Sequence, residues 1–326
     1  MLRLILCAST ILFCVLSASA ADSIDQPSPA TDAEIAPMPV LQDGTNVELK
    51  SIPDFVQRVF VPILPRSTNV FRIVDEPVEE LLDVPAGFSL HKNLGGLTIV
   101  AEPGAVAGYV RIRTESRELT LSLAVLEPYS NVRSGRLNGY EIGHYVEAPM
   151  KGLDSYRVPD GFVPLTAETE ELWVSDHYRL RDFQCKLDGD SKFLVLRPEA
   201  LLKLELLQRR LNLEGLSFKR FTVMSAFRTP YYNARIGNDT VYSRHVYGDA
   251  MDIYVDEDRD GGMDDVNRDG VINQEDARHL LRVAEEIDHS KDWGWLKGGA
   301  GVYRANSAHG PFLHIDVRGY VARWGA

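Results

Sequence analysis

The sequence predicts an α+β protein in which a small all-β domain precedes an antiparallel sheet with helices packed on one side. Short apolar runs separated by turn residues fill 69–149, a pattern typical of strands. Helical periodicity occurs at 198–212 and 277–287, and a period of two occurs at 312–317. Because the first part holds only strands and the second mixes both types, the α+β class is favoured.

The first 66 residues predict an export signal and a linker. Residues 1–20 open with Met1-Leu2-Arg3, continue as an apolar run and end on Ala18-Ser19-Ala20, the pattern of a cleaved signal peptide. A retained membrane anchor is the alternative. Residues 21–66 are rich in Pro, Asp, Ser and Ala and are predicted to be a flexible linker. The alternative for Phe55 to Leu64 is an ordered segment packed against another part of the chain. We therefore expect a secreted or periplasmic protein that has no membrane segment after cleavage.

The amino-acid composition indicates which kinds of partner the protein does not bind. The chain has 35 basic and 47 acidic side chains, a net charge of -12, which argues against nucleic acid as a partner. Outside the predicted signal peptide the chain has one cysteine, Cys185, so no internal disulfide is expected. Nothing in the sequence indicates an obligate oligomer, and we expect a monomer.

The predicted all-β domain spans 67–150. Turn pairs such as Gly95-Gly96 and Pro103-Gly104 separate its apolar runs. These runs lie at 70–74, 97–101, 106–112, 119–126 and 140–146. No cluster of catalytic side chains is evident in this domain.

The predicted second domain spans 151–326 and contains the helix at 198–212. Pro198 suits the first turn of that helix, and Gly215 ends it. A strand at 221–227 follows. The apolar stripe of the helix consists of Ala200, Leu204, Leu207 and Leu211.

A metal site is predicted where a histidine and a carboxylate stand seven positions apart. His245 and Asp252 flank Gly248, which gives the backbone the freedom to reverse, and Asp252 stands at the start of an apolar strand. The alternation at 312–317 points His314 away from the apolar residues beside it. Two neighbouring strands could thus present two imidazoles and one carboxylate to one ion. A fourth position left for water is what a catalytic zinc needs.

Three motifs in this order resemble the M15-type zinc D-Ala-D-Ala peptidases, a group that includes lysostaphin-like enzymes and the hedgehog domain. The motifs are Ser225-Ala226-Phe227-Arg228-Thr229-Pro230, the stretch from Ser243 to Asp252, and Phe312-Leu313-His314-Ile315-Asp316. The murein endopeptidase branch has Ser-Gly-Tyr-Arg-Thr-Pro, Ser-x-His-x-x-Gly-x-Ala-x-Asp and Phe-x-His-x-Asp at these places. The resemblance covers about 170–326 and implies a hedgehog- or DD-peptidase-like sheet. It also implies catalytic zinc and peptidoglycan stem peptides as substrates.

The same resemblance assigns the remaining catalytic roles. Arg228 matches the arginine that is thought to stabilise the developing oxyanion, a role that suits a permanent charge. Many relatives carry an acidic general base three residues before the last histidine, where this chain has Pro311. Asp316 is then expected to orient His314 or to act as the base. His309 is the other candidate for proton transfer.

An EF-hand or dockerin-type calcium loop is predicted at 265–276. The spacing of its oxygen side chains, with Gly270 at position six, is that of a calcium loop. An incomplete acidic set at Asp256, Asp258 and Asp260 precedes it. The predicted calcium ligands are Asp265, Asn267, Asp269, the backbone of Val271, Asn273 and Asp276.

Two functions are therefore expected as alternatives. The first is an exported zinc metallopeptidase that hydrolyses peptide bonds in peptidoglycan, as a DD-endopeptidase or a carboxypeptidase. The second is a catalytically silent zinc- and calcium-containing protein that binds peptidoglycan, which Pro311 favours. The sequence leaves the scissile bond open.

Overall fold

The structure is a computed structural model that describes residues 42–325, apart from positions 75, 94 and 103. The signal peptide predicted at 1–20 and the linker residues 21–41 lie outside the described residues. None of the described helices is long and apolar enough to cross a bilayer.

Two four-stranded sheets form the N-terminal part. In both, every second side chain is buried along much of a strand, as in Ser67–Ile73, so each sheet has one apolar face. The sheet orders are β1-β3-β6-β5 and β2-β8-β7-β4, and β2 contacts both β1 and β6 of the other sheet. The strands are β1 (Gln42–Leu49), β2 (Arg58–Ile63), β3 (Ser67–Ile73), β4 (Val78–Leu81), β5 (Phe88–Asn93), β6 (Gly96–Ala101), β7 (Gly108–Thr114) and β8 (Glu118–Val125).

The linker prediction is wrong for β1, whereas β2 agrees with the alternative that Phe55 to Leu64 is ordered. β1 runs parallel to β3, and Val47 and Leu49 stand opposite Phe71 and Ile73 in the core. β2 runs parallel to β8. The polar composition of this stretch resembles a linker, yet its alternate apolar residues are buried by strands distant in sequence.

The segment that follows β8 joins the two halves. Its short strands are β9 (Glu127–Pro128), β10 (Arg136–Leu137), β11 (Tyr140–Glu141), β12 (Gly161–Leu165) and β13 (Lys192–Leu194). β9 pairs with β12, and β12 pairs with β13. The Tyr145 hydroxyl donates to the Val246 carbonyl at 2.8 Å. Residues 127–149 therefore pack with the C-terminal half, and the predicted boundary at 150/151 does not separate the sheets.

A five-stranded sheet organises the C-terminal half. It consists of β14 (Thr222–Ser225), β15 (Ala250–Tyr254), β16 (Gly299–Tyr303), β17 (Phe312–Asp316) and β18 (Ala322–Trp324). Its order is β14-β15-β17-β16-β18, and every pair is antiparallel except β16 with β18. The predicted mixed α and β architecture with a mostly antiparallel sheet is confirmed.

Three α-helices occur among the described residues. They are α1 (Pro198–Leu213), α2 (Pro230–Arg235) and α3 (Gln274–His289), and the first and last agree with the predicted periodicity. The predicted stripe on α1 is buried. α3 packs against β16 and β17, and α1 packs against α3. Met251 and Ile315 point toward Ala200 of α1, which leaves the opposite face of the sheet for polar side chains.

Candidate metal site

Asp252 and His314 lie side by side because β15 and β17 pair in the right register. The two residues stand directly opposite each other in the antiparallel ladder, so their side chains project from the same face. His314 Nδ1 lies 2.8 Å from Asp252 Oδ1. Asp252 stands in the middle of β15 and not at its start as predicted, because the strand already begins at Ala250.

His245 reaches the same point from a tight turn. A 3₁₀ turn at Arg244–Tyr247 ends on Gly248, whose φ of 70° lies in the left-handed region. A side chain there would also overlap the Val195 carbonyl, so both conformation and space favour glycine. His245 Nε2 lies 3.3 Å from Asp252 Oδ1. The reversal predicted around Gly248 is confirmed.

The three side chains form one buried donor set. One ligand atom from each of His245, Asp252 and His314 lies within 4.8 Å of the others, and the residues are 4 to 5% exposed. His245 Nδ1 donates to the Ala226 carbonyl at 2.6 Å, which leaves Nε2 with its lone pair toward the site. Two imidazole nitrogens and one carboxylate oxygen match the protein ligands of a catalytic zinc site.

Burial and mutual contact favour the ligating ionisation state of His245 and Asp252, but not that of His314. Burial lowers the pKa of His245, which favours the neutral, ligating imidazole. Burial would also lower the pKa of His314, but hydrogen bonds to Asp252 and Asp316 outweigh it and raise that pKa. Burial opposes ionisation of Asp252, yet the two imidazoles keep its pKa well below its usual range. The site therefore has a carboxylate anion ready to bind a cation.

Arg228 is brought to this site as the resemblance implies. Its Nη2 donates to Asp252 Oδ2 at 2.7 Å, and its Nε donates to Ser225 Oγ at 2.9 Å. Nη1 makes no hydrogen bond to any other described residue. The guanidinium is thus fixed at two nitrogens beside the ligand carboxylate, with the third free for another group.

Asp316 is placed as an orienting group. It is 1% exposed, and its Oδ2 accepts from His314 Nε2 at 3.3 Å. Arg318 Nε donates to both of its oxygens, at 2.9 and 3.0 Å, and the Gly299 N–H donates to Oδ1 at 2.7 Å. Burial opposes its ionisation, but His314 and Arg318 hold its pKa well below the ordinary value. A carboxylate so occupied is a poor proton acceptor, so the alternative of Asp316 as the base is not favoured.

His309 is not brought into contact with the three ligands. Its Nε2 lies 2.8 Å from Asn306 Nδ2 and its Nδ1 lies 2.7 Å from the Gly310 carbonyl. Its ring packs edge-on against Phe312, with centroids 4.8 Å apart. Phe312 precedes His314 by two residues on β17, so both side chains project from the same face of the sheet. His309 packs on Phe312 and therefore lies on that face, beside Phe312 and not beside His314.

Two further groups around the site were missed by sequence analysis. The buried Arg244 and Asp249, 1% and 0% exposed, pair inside the turn that carries His245. Trp324 lies 5.0 Å from His314 between ring centroids, and its Nε1 donates to the Tyr303 hydroxyl at 2.8 Å. The Arg244 and Asp249 pair lies within the recognised motif, whereas Trp324 needs the β16–β18 pairing to reach the site.

Gly301 leaves space for the Trp324 indole, which packs beside His314. Replacing Gly301 therefore tests whether Trp324 supports the metal site. A Cβ at position 301 would overlap the Trp324 indole. We expect Gly301→Ala to displace Trp324, to destabilise the fold by about 1–3 kcal/mol through overpacking, and to weaken zinc binding. Urea denaturation and zinc titration would measure both. Gly310→Ala is the matched control, because a Cβ at position 310 would lie 3.9 Å from the nearest atom, Met263 N. An equal loss of stability and zinc binding in both variants would contradict the interpretation.

Hydrogen bonds to Asp265 and Asp276 close the loop that is predicted to bind calcium. The Asp265 carboxylate accepts from the N–H groups of Asp269 and Gly270 at 3.1 and 2.8 Å, which wraps the loop around its first position. Asp276 is fully buried and accepts from the N–H groups of Val266 and Asn273. Among the described residues, the carboxylates of Asp265, Asp269 and Asp276 are not a group whose oxygens all lie within 4.8 Å of one another. Asp276 also takes part in the capping box of α3 with Asn273.

The acidic set upstream of that loop does converge. One oxygen each from Asp256, Asp258 and Asp260 lies within 4.8 Å of the others, although the sequence shows this set as incomplete. The Tyr254 hydroxyl donates to the Gly261 carbonyl at 3.2 Å and ties the set to β15. Two acidic turns thus follow the strand that carries Asp252.

Comparison with known proteins adds no family to this description. A scan against models of known protein families finds no match, and a search of curated proteins finds no similar sequence. The function is therefore proposed from the geometry of the site and from the motifs.

Proposed function

We propose that the protein is an exported zinc metallopeptidase that hydrolyses peptide bonds in peptidoglycan. The observation that carries this proposal is the convergence of His245, Asp252 and His314 beside Arg228, a donor set with a fixed positive charge next to it. The proposal includes the hedgehog- and DD-peptidase-like arrangement for 151–326, peptidoglycan stem peptides as the substrate, and a secreted or periplasmic monomer.

The residues around the site would have separate roles in hydrolysis. When bound, zinc supplies the Lewis acidity that peptide-bond hydrolysis requires. His245, Asp252 and His314 would hold it. The Ala226 carbonyl and the Asp316 carboxylate keep the two imidazoles in the ligating tautomer. The free Nη1 of Arg228 would donate to the carbonyl oxygen as negative charge develops there.

Proton transfer is assigned to His309. Asp316 is buried and occupied, and Pro311 stands where relatives have a carboxylate. His309 is half-buried and on the metal side of the sheet. For this role its ring would turn away from Asn306 toward the substrate. We propose it as the proton carrier, with His309→Gln expected to lower kcat more than it raises KM.

A catalytically silent peptidoglycan-binding protein is the second candidate. Pro311 favours it, because no carboxylate takes the position that relatives use as the base. Such a protein would keep zinc and bind murein without cutting it.

Digestion of purified murein sacculi separates the two functions. The mature protein is incubated with sacculi and zinc, and released fragments are identified by mass spectrometry. New fragments that are absent with His245→Ala would support the peptidase and identify the bond. His91→Ala is the control, since His91 is exposed on β5 of the N-terminal sheet. Absence of fragments while the protein retains one zinc would favour the binding protein.

We also propose that calcium stabilises the turns that follow β15. Calcium at about 100 times its dissociation constant would add about 2.7 kcal/mol of stability, and we expect a rise in Tm that magnesium does not reproduce. Differential scanning calorimetry with a calcium-selective chelator tests this. Asp269→Asn and Asp258→Asn identify which turn binds the ion, because only one should abolish the rise. No change on chelation, with zinc still bound, would refute the proposal.

A further inference from the structure

β14 presents an unpaired edge beside the candidate metal site. It is the outermost strand of the five-stranded sheet, with β15 on one side and no described strand on the other. The edge is closed at both ends, where the Phe221 N–H donates to the Tyr178 hydroxyl and the Phe227 N–H donates to the Phe183 carbonyl. Between these points, 222–226 make no hydrogen bond to that neighbouring segment in the described structure.

A cleft of about 500 Å³ lies against this edge. The segment that follows the 3₁₀ turn at Leu180–Phe183 also lines the cleft, and buried and exposed side chains alternate along 183–188. Gln184, Lys186 and Asp188 are the exposed members and line the cleft together with Lys192. The cleft is therefore bounded by a free strand edge on one side and by polar side chains on the other.

The cleft carries uncompensated positive charge in an acidic protein. Arg181 and Arg220 also line it, but they pair with Glu171 and Asp182. Neither Lys186 nor Lys192 has a carboxylate within 4.0 Å among the described residues. The one acidic group of the cleft without a basic partner is Asp188. Two lysines against one aspartate favour an anionic ligand, although the whole chain has a net charge of -12.

The inner end of the cleft meets the metal site. Ser225 and Ala226 line it, and both contact the site directly. The Ser225 hydroxyl accepts from Arg228, and the Ala226 carbonyl accepts from His245. A chain that lies along β14 would thus lead to Arg228 and the three ligands.

We propose that this cleft is the subsite for an extended peptide that bears carboxylate groups and adds to β14 as a further strand. Backbone hydrogen bonds to the free edge would provide affinity, and Lys186 and Lys192 would select the carboxylates. The inference rests on the proposed function for the identity of the peptide, a murein stem peptide.

Binding of labelled peptides to the full mature protein tests this proposal without depending on hydrolysis. Fluorescence anisotropy is measured with a stem tetrapeptide in its free-acid form, in an amidated form and in a backbone N-methylated form. Mass spectrometry of the same samples records whether the peptide is cut. We expect the free acid to bind about tenfold more tightly than the amide at low salt, and the N-methylated peptide to bind weakly.

The charge-reversed variant Lys186→Glu/Lys192→Glu should abolish the preference for the free acid. Lys291→Glu/Lys297→Glu, which reverses two exposed lysines outside the cleft, should keep it. Absence of binding, equal binding of acid and amide, a preference retained in the cleft variant, or full affinity of the N-methylated peptide would each overturn the inference. Selective binding without any cut peptide would support the cleft while contradicting the peptidase.

Discussion

Arg228→Ala is expected to lower kcat/KM for murein peptides by about 10² to 10³-fold while bound zinc is retained. The magnitude is that of removing one preorganised donor from an oxyanion site. The loss should appear in kcat, because Nη1 would donate more strongly to the developing oxyanion than to the ground-state carbonyl. Zinc should remain because Arg228 contacts Asp252 through Oδ2, whereas the imidazoles contact Oδ1.

Two variants make this result specific to the guanidinium. Arg228→Lys keeps the charge but cannot hold Asp252, Ser225 and the substrate together from one nitrogen, so we expect partial recovery. Arg235→Ala removes an exposed arginine from the end of α2 and should change nothing. Zinc content and steady-state kinetics are measured for all three variants. Loss of zinc from Arg228→Ala would reassign the residue to holding the metal.

The convergence of His245, Asp252 and His314 could be predicted because it depends largely on two local sequence patterns. Period-two alternation fixes the face of His314, and a glycine that permits reversal places His245 near Asp252. Pairing of β15 with β17 then follows from both strands being apolar on one face. The sequence does not contain the register, yet a slip by one residue would turn His314 into the core.

Prediction failed where burial depends on distant partners. Residues 42–49 contain Gly44, Asn46 and Asp43, which are typical of loops, and β1 is a strand because β3 pairs with it. No local sequence pattern places Trp324 next to His314, because their contact depends on the pairing of β18 with β16. The position of His309 depends on the loop before β17, which no periodicity describes. These features are set by tertiary pairing and not by local propensity.

The ion pair between Arg244 and Asp249 connects the two ends of the turn that carries His245. Arg244 Nε donates to Asp249 Oδ1 at 3.0 Å, and Nη2 donates to the second oxygen and to the Ser155 carbonyl. The guanidinium lies 4.0 Å from the centroid of the Tyr156 ring. Both charges are buried, so each depends on the other for compensation.

Arg244→Met is therefore expected to destabilise the protein by about 3–5 kcal/mol, because it leaves the Asp249 carboxylate buried without its cation. Burial already raises the pKa of Asp249, with Arg244 opposing that rise. Without Arg244, the pKa of Asp249 in the folded state rises further above its value in the unfolded state. The loss of stability is therefore complete at a pH above the folded-state pKa, and it diminishes as the pH falls through that pKa. The double variant Arg244→Met/Asp249→Asn should be more stable than Arg244→Met at pH 8. Urea denaturation at pH 5 and 8, with zinc chelated so that its binding does not contribute, measures these differences. A pH-independent loss, or a double variant less stable than Arg244→Met, would show that Arg244 acts through packing on Tyr156 and not through its charge.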